Sequence, residues 1–380
     1  MVKARTILII ALLIGAIGAG LIFGLRSAAP VADVRAGCPQ FTPMHGLMPL
    51  LFRIGVLPKP PIAASVAPSD TSTSIIIHPD RHDQIQCGKT PIKSLQDVVY
   101  AAPKLPNGKT TPLKMDLLIP EGVRKRTVVV YVPGGGFVVA AKESALNLRT
   151  YVAEAGFAVA SIQYRTTRDS ANYRDGIEDI KAAIRFLRAN ADKYGIDVGA
   201  VAVWGESAGG YLATMVGVTN HDATFDAGVN LNQSSDVQGV IDDFGASDIS
   251  KMAADFDAAT QRTIYGNQGL VQYIGKAPDA NTLDPGIAGT AANPLKYIHA
   301  DAPPFLIFHG NHDRMVSPSQ TLILHEALTA AGVHSTRYVV DGAAHGDLSF
   351  IGDAQSGLLW STNKIMNLIV DFLNGLNAAT

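Results

Sequence analysis

The sequence predicts an α/β protein with one mostly parallel central β-sheet and helices on both faces of that sheet. From about residue 96, short apolar runs bounded by turn residues alternate with segments of helical periodicity. Such runs are typical of strands that are buried on both faces of a parallel sheet. One run also leads through a glycine-flanked turn into a segment of small residues, which indicates a strand, a sharp turn and a helix. With 380 residues, of which 47% are hydrophobic and 17% charged, the chain is long enough for a large core.

The individual elements follow from the spacing of the apolar residues. The predicted strands are one alternating segment at residues 113–119 and continuous apolar runs at 127–132, 157–162, 201–204 and 305–308, with a further strand-like segment at 336–340. A helical stripe of apolar residues predicts a helix over residues 175–194. Further helices are predicted at residues 208–218, 318–331 and 356–376.

An uninterrupted apolar run near the beginning of the chain predicts a membrane-spanning helix. Residues 7–25 contain no charged residue, Lys3 and Arg5 precede them and Arg26 follows. As a helix, this run spans roughly 30 Å, the thickness of the hydrocarbon core of a bilayer. The basic residues before the run place the N-terminus in the cytoplasm and everything after Arg26 on the extracytoplasmic side. We therefore expect residues 1–26 to be an uncleaved signal anchor, with a cleaved signal peptide and a secreted product as the alternative.

Residues 27–95 are rich in Pro, Ser, Thr and Asp and are predicted to form an N-terminal extension to a main domain at residues 96–380. An apolar island at residues 47–57 is expected either to cover the mouth of the active site as a cap or to pack against the flank of the main domain. The chain has two cysteines, Cys38 and Cys87. An exported location permits a disulfide between them, which would tie down the extension.

The most informative segment is residues 201–210, which read Val-Ala-Val-Trp-Gly-Glu-Ser-Ala-Gly-Gly. A buried strand that runs into a Gly-x-Ser-x-Gly turn and then a helix is the arrangement of a nucleophile elbow. A serine hydroxyl is a poor nucleophile at neutral pH, so it needs an exposed turn where a base can take its proton. Gly205 and Gly209 leave room where the strand and the helix crowd this turn. We therefore predict that Ser207 is a catalytic nucleophile.

A second glycine-rich turn is a candidate oxyanion hole. Residues 131–137 read Tyr-Val-Pro-Gly-Gly-Gly-Phe and continue directly from a predicted strand. Three consecutive glycines let the backbone turn its N–H groups toward one point. Phosphate binding is disfavoured, because the turn lacks both the Lys-Ser/Thr ending and the Gly-x-Gly-x-x-Gly spacing of phosphate-binding loops.

A base and an acid follow later in the chain. His345 comes just after the strand-like residues 336–340, where a loop can carry it over the edge of the sheet, and it is the predicted base. Asp313 follows the buried strand at 305–308 and is the predicted acid that orients the imidazole. The alternatives for the acid, each more typical of a cap or loop residue, are Asp301, Asp341 and Asp347.

These motifs, in the chain order Ser, Asp, His, resemble the α/β-hydrolase family. The resemblance covers residues from about 96 to 376 and is greatest to the esterase and lipase branch related to hormone-sensitive lipase and to bacterial feruloyl-esterase-like enzymes. Residues 205–210 resemble the serine motif of that branch, and residues 133–137 resemble its His-Gly-Gly-Gly-aromatic loop.

The resemblance implies an α/β-hydrolase fold and oxyanion donors at the N–H groups of Gly134, Gly135 and Ala208. Pro133 stands where the branch usually has a histidine that braces the loop. Asp313 lies in a setting similar to that of dienelactone hydrolases and prolyl-oligopeptidase relatives, which favours it as the acid.

The residues and the resemblance together predict a serine carboxylesterase that acts on small acyl esters, without a metal or an organic cofactor. One alternative is an amidase or peptidase with the same triad, and another is a non-catalytic binding protein on a hydrolase fold. A formal net charge of −2 offers no electrostatic basis for binding nucleic acid. The expected partners are therefore a small ester substrate and, through residues 7–25, a membrane.

Overall fold

The computed structural model describes residues 31–32, 38–40, 60–122, 127–274, 291–348, 351, 353 and 355–378. Two short strands near the start of this part, β1 (Val31–Ala32) and β2 (Pro39–Gln40), pair with each other in antiparallel fashion. The main sheet is formed, within the described residues, by β3 (Ile75–Ile77), β4 (Ile92–Ala101), β5 (Leu113–Pro120), β6 (Thr127–Val132), β7 (Ala158–Ile162), β8 (Ala200–Glu206), β9 (Gly239–Asp243), β10 (Phe305–Gly310) and β11 (Ser335–Val340).

The strand order of the main sheet is β3-β11-β10-β9-β8-β6-β7-β5-β4. All neighbouring pairs from β3 to β7 are parallel, whereas β5 pairs with both β7 and β4 in antiparallel fashion. The prediction of a mostly parallel sheet is thus confirmed. Because the carboxyl ends of parallel strands meet at one edge, the loops that follow β6, β8, β10 and β11 lie along the same edge of the sheet.

The α-helices of the described residues are α1 (Leu146–Glu154), α2 (Tyr173–Ala189), α3 (Ala191–Tyr194), α4 (Ala208–Val218), α5 (Ala258–Tyr265), α6 (Gln268–Tyr273), α7 (Ser319–Ala330) and α8 (Asn363–Ala378). Buried side chains of α2 and α4 belong to one hydrophobic cluster, and those of α1 and α8 belong to a second. Strand β6 contributes to both clusters in alternation, with Val128 and Val130 in the first and Val129 and Tyr131 in the second. Since successive side chains of a strand point to opposite faces, the helices cover both faces of the sheet, as predicted.

Some elements differ from their predicted bounds. The helix predicted over residues 175–194 begins earlier, because the side chain of Asn172 accepts a hydrogen bond from the backbone N–H of Arg174 and caps it. It is interrupted at Asn190, which separates α2 from α3. The helix predicted over residues 356–376 is a 3-10 turn at Ser356–Leu359 followed by α8.

Three strands of the main sheet were not predicted. Strand β9 ends in two aspartates that are nevertheless buried, and β4 carries polar residues on its exposed side, so neither shows a continuous apolar run. Strand β3 is an edge strand beside β11 and lies within the predicted extension at residues 27–95. The predicted boundary between residues 95 and 96 falls inside β4. The last part of the extension therefore belongs to the main sheet.

The predicted disulfide between Cys38 and Cys87 is present. Cys38 is completely buried. Next to its partner Cys87, the backbone N–H of Gly88 donates a hydrogen bond to the Glu154 carboxylate at 2.6 Å. The start of the described chain is thereby tied to the end of α1. The predicted membrane helix at residues 7–25 and the apolar island at residues 47–57 lie outside the described residues. Of the helices that the structure does describe, none combines the length and apolar content needed to cross a bilayer.

Candidate active site

Ser207 occupies a strained turn between β8 and α4. Its backbone angles are φ 54° and ψ −118°, a conformation that residues with a side chain rarely adopt. Residues in such conformations typically cost about 1–3 kcal/mol each and persist only where the surrounding structure enforces them. Here the backbone N–H of Ser207 donates a hydrogen bond to the carbonyl oxygen of Asp243 on β9, at 2.8 Å. The turn therefore holds the serine side chain at the carboxyl edge of the sheet.

The two glycines of the Gly-x-Ser-x-Gly turn are required by close backbone contacts. A Cβ atom on Gly205 would lie 2.1 Å from the carbonyl oxygen of Gly209, and one on Gly209 would lie 2.0 Å from the carbonyl oxygen of Val132. Neither distance is compatible with a side chain. The glycines therefore allow the strand and the helix to meet behind Ser207, as the sequence predicted.

The structure brings the predicted nucleophile, base and acid together in one hydrogen-bonded row. Nε2 of His345 lies 2.7 Å from Oγ of Ser207, and Nδ1 of His345 lies 2.7 Å from Oδ2 of Asp313. The three residues follow β8, β10 and β11, whose carboxyl ends lie at the same edge. Since a carboxylate can only accept, Nδ1 carries the proton and Nε2 is free to accept the serine proton.

Asp313 is completely buried, and its carboxylate faces four N–H donors. Its Oδ1 accepts from the backbone N–H groups of Met315 at 2.8 Å and Val316 at 3.0 Å, and its Oδ2 faces His345 and His309. Burial by itself raises the pKa of this carboxyl, but the electrostatic attraction and the hydrogen bonds of His345 and His309 outweigh burial and hold the pKa well below its usual range. Asp313 therefore remains ionised throughout the neutral pH range.

His309 is a partner of the acid that the sequence did not reveal. It lies in β10, completely buried, with Nε2 3.1 Å from Oδ2 of Asp313 and 3.2 Å from the carbonyl oxygen of Val316. Both of these neighbours are acceptors, so Nε2 carries the proton and donates it. Burial lowers the pKa of His309, which keeps the ring neutral. The one sequence signal was a histidine inside an otherwise apolar strand, and that signal alone does not identify its partner.

The alternatives for the acid lie in other environments. Asp341 is exposed and contacts His78 at 2.9 Å and the side-chain amide of Asn311 at 2.8 Å. Asp347 is two residues beyond His345 and is exposed as well. The carboxylate that contacts the imidazole Nδ1 is that of Asp313.

The glycine loop after β6 lies directly against Ser207. A Cβ atom on Gly134 would be 3.3 Å from Cβ of Ser207, and one on Gly135 would be 2.1 Å from the carbonyl oxygen of Val139. Gly135 also has φ 143°, which side chains rarely permit. Within the described chain, the N–H groups of Gly134, Gly135 and Ala208 donate no hydrogen bond to another protein group. Three donors next to Ser207 are therefore available to an external acceptor.

A cavity of about 410 Å³ opens beside the loops of the acid and the base. Its walls include His312, Arg314 and Ala344, but Ser207 does not line it. Gly134, which lies against Ser207, does not line this cavity either. After the three glycines the loop continues into Val138 and Val139, which expose 39% and 37% of their surface.

Beneath the elbow, Asp242 on β9 is buried, and no cationic side chain of the described residues pairs with it. Its Oδ1 accepts from the backbone N–H of Gly245 at 2.8 Å, and its Oδ2 contacts the hydroxyl of Thr214 at 3.1 Å. Burial raises the pKa of Asp242 from 3.8 to about 7, and the two hydrogen bonds lower it only in part. Between these values the folded protein holds a proton that the unfolded chain releases. The free energy of unfolding contributed by Asp242 therefore decreases as the pH rises from about 4 to about 7.

Asp242→Asn is expected to remove this part of the pH dependence, because an amide keeps both hydrogen bonds without a charge. Urea unfolding at about pH 5 and about pH 8 measures the effect, since the wild type should lose more stability than the variant between the two conditions. Equal losses in the two proteins would show that the carboxyl is not held protonated in the fold.

Comparison with known proteins identifies the family of the chain. Esterase LipC from Mycobacterium tuberculosis is 29% identical over 223 residues, which are 58% of this chain and 52% of LipC. The chain thus spans about half the length of the curated relatives it matches first. Among solved structures, a truncated form of a carbohydrate esterase from gut microbiota superposes with a TM-score of 0.62 at 26% identity, covering 77% of this chain and 98% of that one.

A butyrate-bound esterase from Thermogutta terrifontis superposes with a TM-score of 0.55 at 25% identity, covering 76% of this chain and 95% of that one. The model of the BD-FAE family matches residues 115–328, which are more than half of the 380 residues. The matched region contains the glycine loop, Ser207 and Asp313. The chain therefore belongs to the BD-FAE family, an α/β-hydrolase esterase family.

Proposed function

We propose that this protein is a serine carboxylesterase that hydrolyses small acyl esters through an acyl-enzyme intermediate. One observation carries the proposal, which is the row of two 2.7 Å contacts from Oγ of Ser207 through His345 to Asp313. Beside this row lie three backbone N–H groups without an acceptor in the described chain. A nucleophile, a base, an acid and oxyanion donors at one point are the parts that acyl transfer requires.

In the proposed first half-reaction, Oγ of Ser207 forms a bond to the ester carbonyl carbon while its proton passes to Nε2 of His345. The carbonyl oxygen becomes negatively charged and accepts hydrogen bonds from the N–H groups of Gly134, Gly135 and Ala208. The bond from the tetrahedral carbon to the alcohol oxygen then breaks, and His345 returns its proton to the departing alcohol.

In the second half-reaction, His345 takes a proton from water, and the water oxygen attacks the acyl carbon of the acyl-enzyme. Collapse of this second intermediate releases the acid, and His345 returns the proton to Ser207. Asp313 stabilises the imidazolium in both halves, because its pKa is held low enough that it stays ionised. Every step uses protein groups and water, so the proposed reaction requires no cofactor.

Two observations support small acyl esters as substrates. The similar esterase from Thermogutta terrifontis was solved with butyrate, a short carboxylate, bound. In this chain, Val138 and Val139 follow the glycine loop in the sequence and are exposed, which gives this end of the loop a limited apolar surface. Such a surface suits a short acyl or alcohol group.

Labelling with a fluorophosphonate, followed by peptide mass mapping, tests the proposal. An activated serine attacks phosphorus as it attacks a carbonyl carbon, so Ser207 is expected to be the labelled residue. Hydrolysis of p-nitrophenyl esters of increasing acyl length then measures the acyl preference, with kcat/KM expected to be highest for short chains. A folded protein in which Ser207 remains unlabelled would refute the proposal and favour a binding protein on a hydrolase fold.

We further propose that the enzyme acts outside the cytoplasm, either held in the membrane by residues 7–25 or secreted after their removal. Support comes from the apolar content of this run, from the basic residues before it and from the Cys38–Cys87 disulfide, since disulfides persist in oxidising compartments. Fractionation of cells that produce the full chain distinguishes these locations. Recovery of the reduced protein in the cytosol would contradict both forms.

A further inference from the structure

Residues 134–136 have no side chains that could brace the glycine loop. Within the loop, the carbonyl oxygen of Gly135 accepts hydrogen bonds from the backbone N–H groups of Val138 at 3.0 Å and Val139 at 3.2 Å, but neither bond fixes the ends of the loop to the rest of the fold. Its two ends are instead held by the segment that follows β7. At the start of the loop, the hydroxyl of Tyr164 donates a hydrogen bond to the carbonyl oxygen of Pro133 at 2.9 Å. At the other end, the carbonyl oxygen of Phe137 accepts from the backbone N–H of Thr167 at 2.9 Å and from its hydroxyl at 3.1 Å.

The segment that provides these donors is itself fixed to α2. The guanidinium of Arg165 contacts the Asp179 carboxylate at 2.8 Å, and the backbone N–H of Arg165 donates to the same carboxylate at 2.8 Å. Asp179 is 3% exposed, so this ion pair is shielded from water and from salt screening. Arg165 lies between Tyr164 and Thr167, so both donors are attached to a rigid point.

The geometry at each end explains why bracing is needed. Phe137 has φ 63°, so the chain leaves the loop in a conformation that it would not adopt unaided. Its ring stacks on Tyr273 with centroids 4.1 Å apart, which holds the side chain while Thr167 holds the carbonyl. At the other end, Tyr164 is 2% exposed, and burial raises the pKa of its hydroxyl, which therefore remains a donor.

We propose that Tyr164 and Thr167 are positioning residues that hold both ends of the glycine loop and thereby aim the N–H groups of Gly134 and Gly135 at the oxyanion. In this chain they brace the loop in place of the histidine that Pro133 replaces. This inference rests on the proposed esterase function. Neither residue touches the substrate, and each acts through the backbone of the loop.

Tyr164→Phe tests the start of the loop, because it removes only the hydroxyl. Oxyanion donors act mainly on the transition state, and the loss of one typically lowers kcat by 10²- to 10³-fold. Donors that stay in place but are misaimed should lose part of this effect, so kcat is expected to fall about 10-fold or more while KM changes less than about twofold.

Tyr100→Phe is the matched control. Tyr100 is also 2% exposed, and its hydroxyl also donates to a backbone carbonyl, that of Gln163, which directly precedes Tyr164. The control thus removes an equivalent buried hydrogen bond that does not reach the glycine loop. Its kcat is expected to stay near that of the wild type, even where its melting temperature falls as far as that of Tyr164→Phe.

Thr167 allows an independent test at the other end of the loop. Thr167→Val keeps the shape and the backbone N–H but removes the hydroxyl, whereas Thr167→Ser keeps the hydroxyl. We expect a lower kcat at similar KM for the valine variant and restored kcat for the serine variant. This pair also decides the matter if Tyr164→Phe does not fold.

Each outcome has a distinct meaning. A kcat for Tyr164→Phe equal to that of Tyr100→Phe, or equal kcat values for Thr167→Val and Thr167→Ser, would overturn the positioning role. A rise in KM at unchanged kcat would also overturn it, because it would indicate a role in substrate binding. If the wild type neither hydrolyses esters nor takes a fluorophosphonate label on Ser207, the proposed function itself has failed.

Discussion

Replacing Ser207 with alanine is expected to lower kcat for ester hydrolysis by about 10⁵- to 10⁶-fold while leaving the fold intact. The variant loses only the hydroxyl whose Oγ lies 2.7 Å from Nε2 of His345. Alanine at this position has the same backbone strain as serine, because φ 54° and ψ −118° disfavour any Cβ. The measurement is ester hydrolysis by the purified variant, together with its melting temperature.

Ser207→Gly is the control that separates catalysis from folding. Glycine adopts these backbone angles without strain, so this variant is expected to be more stable than Ser207→Ala by about 1 kcal/mol and equally inactive. If both variants are inactive although their stabilities differ, the loss of activity is due to the missing hydroxyl and not to a loss of folding. Turnover by a pure sample of Ser207→Ala would mean that another residue is the nucleophile.

Asp313→Asn is expected to lower kcat by about 10⁴-fold. The carboxylate accepts from four N–H donors, which belong to His345, His309, Met315 and Val316. An asparagine amide replaces one of the two accepting oxygens by an N–H₂ group. That group then faces two N–H donors and cannot accept from either of them. If the amide group faces His345, the imidazole moves its proton to Nε2, which can then no longer accept the proton of Ser207.

The control for this change is Asp347→Asn, which alters an exposed carboxylate two residues beyond the base. Its kcat is expected to remain within a few-fold of the wild type. A large loss in Asp347→Asn together with a small one in Asp313→Asn would mean that the acid has been misassigned.

The difference in stability between the wild type and Asp313→Asn should depend on pH in a defined direction. The folded pKa of Asp313 lies below its unfolded value, so this group stabilises the fold above about pH 4 and loses that contribution as the pH falls through the folded pKa. The wild type should therefore exceed the variant in stability at neutral pH, and the difference should shrink in acid. Thermal unfolding at several pH values measures it, and a constant difference would show that Asp313 is not ionised in the fold.

Local patterns in the sequence were sufficient to predict much of the fold and the position of the turn that carries Ser207. Continuous apolar runs such as that of β6 indicate strands buried on both faces, and the glycines around Ser207 indicate a turn that only glycine allows. These signals are local, since each depends on residues that are neighbours in the chain. The same patterns did not predict strand β9, because two consecutive aspartates are typical of a loop. Only the structure shows that these aspartates are buried beneath the turn at Ser207.

Tertiary structure decided which distant residues meet. Asp313, Asp341 and Asp347 are all loop aspartates near the ends of strands, and nothing local to them shows which carboxylate reaches Nδ1 of His345. The histidine in β10 was visible in the sequence, but its contact with the same carboxylate was not, because that contact depends on how the loop after β10 folds back onto its own strand.

By itself, the sequence determined the alternation of strands and helices, the strained serine turn and the glycine loop, since backbone sterics and burial act over a few residues. It also showed that Pro133 stands where the esterase and lipase branch that the chain resembles usually has a histidine. Only the tertiary structure decided what takes the place of that histidine, because the Tyr164 hydroxyl and the Pro133 carbonyl lie 31 residues apart. They meet only where β6 and β7 pair as parallel neighbours in the sheet.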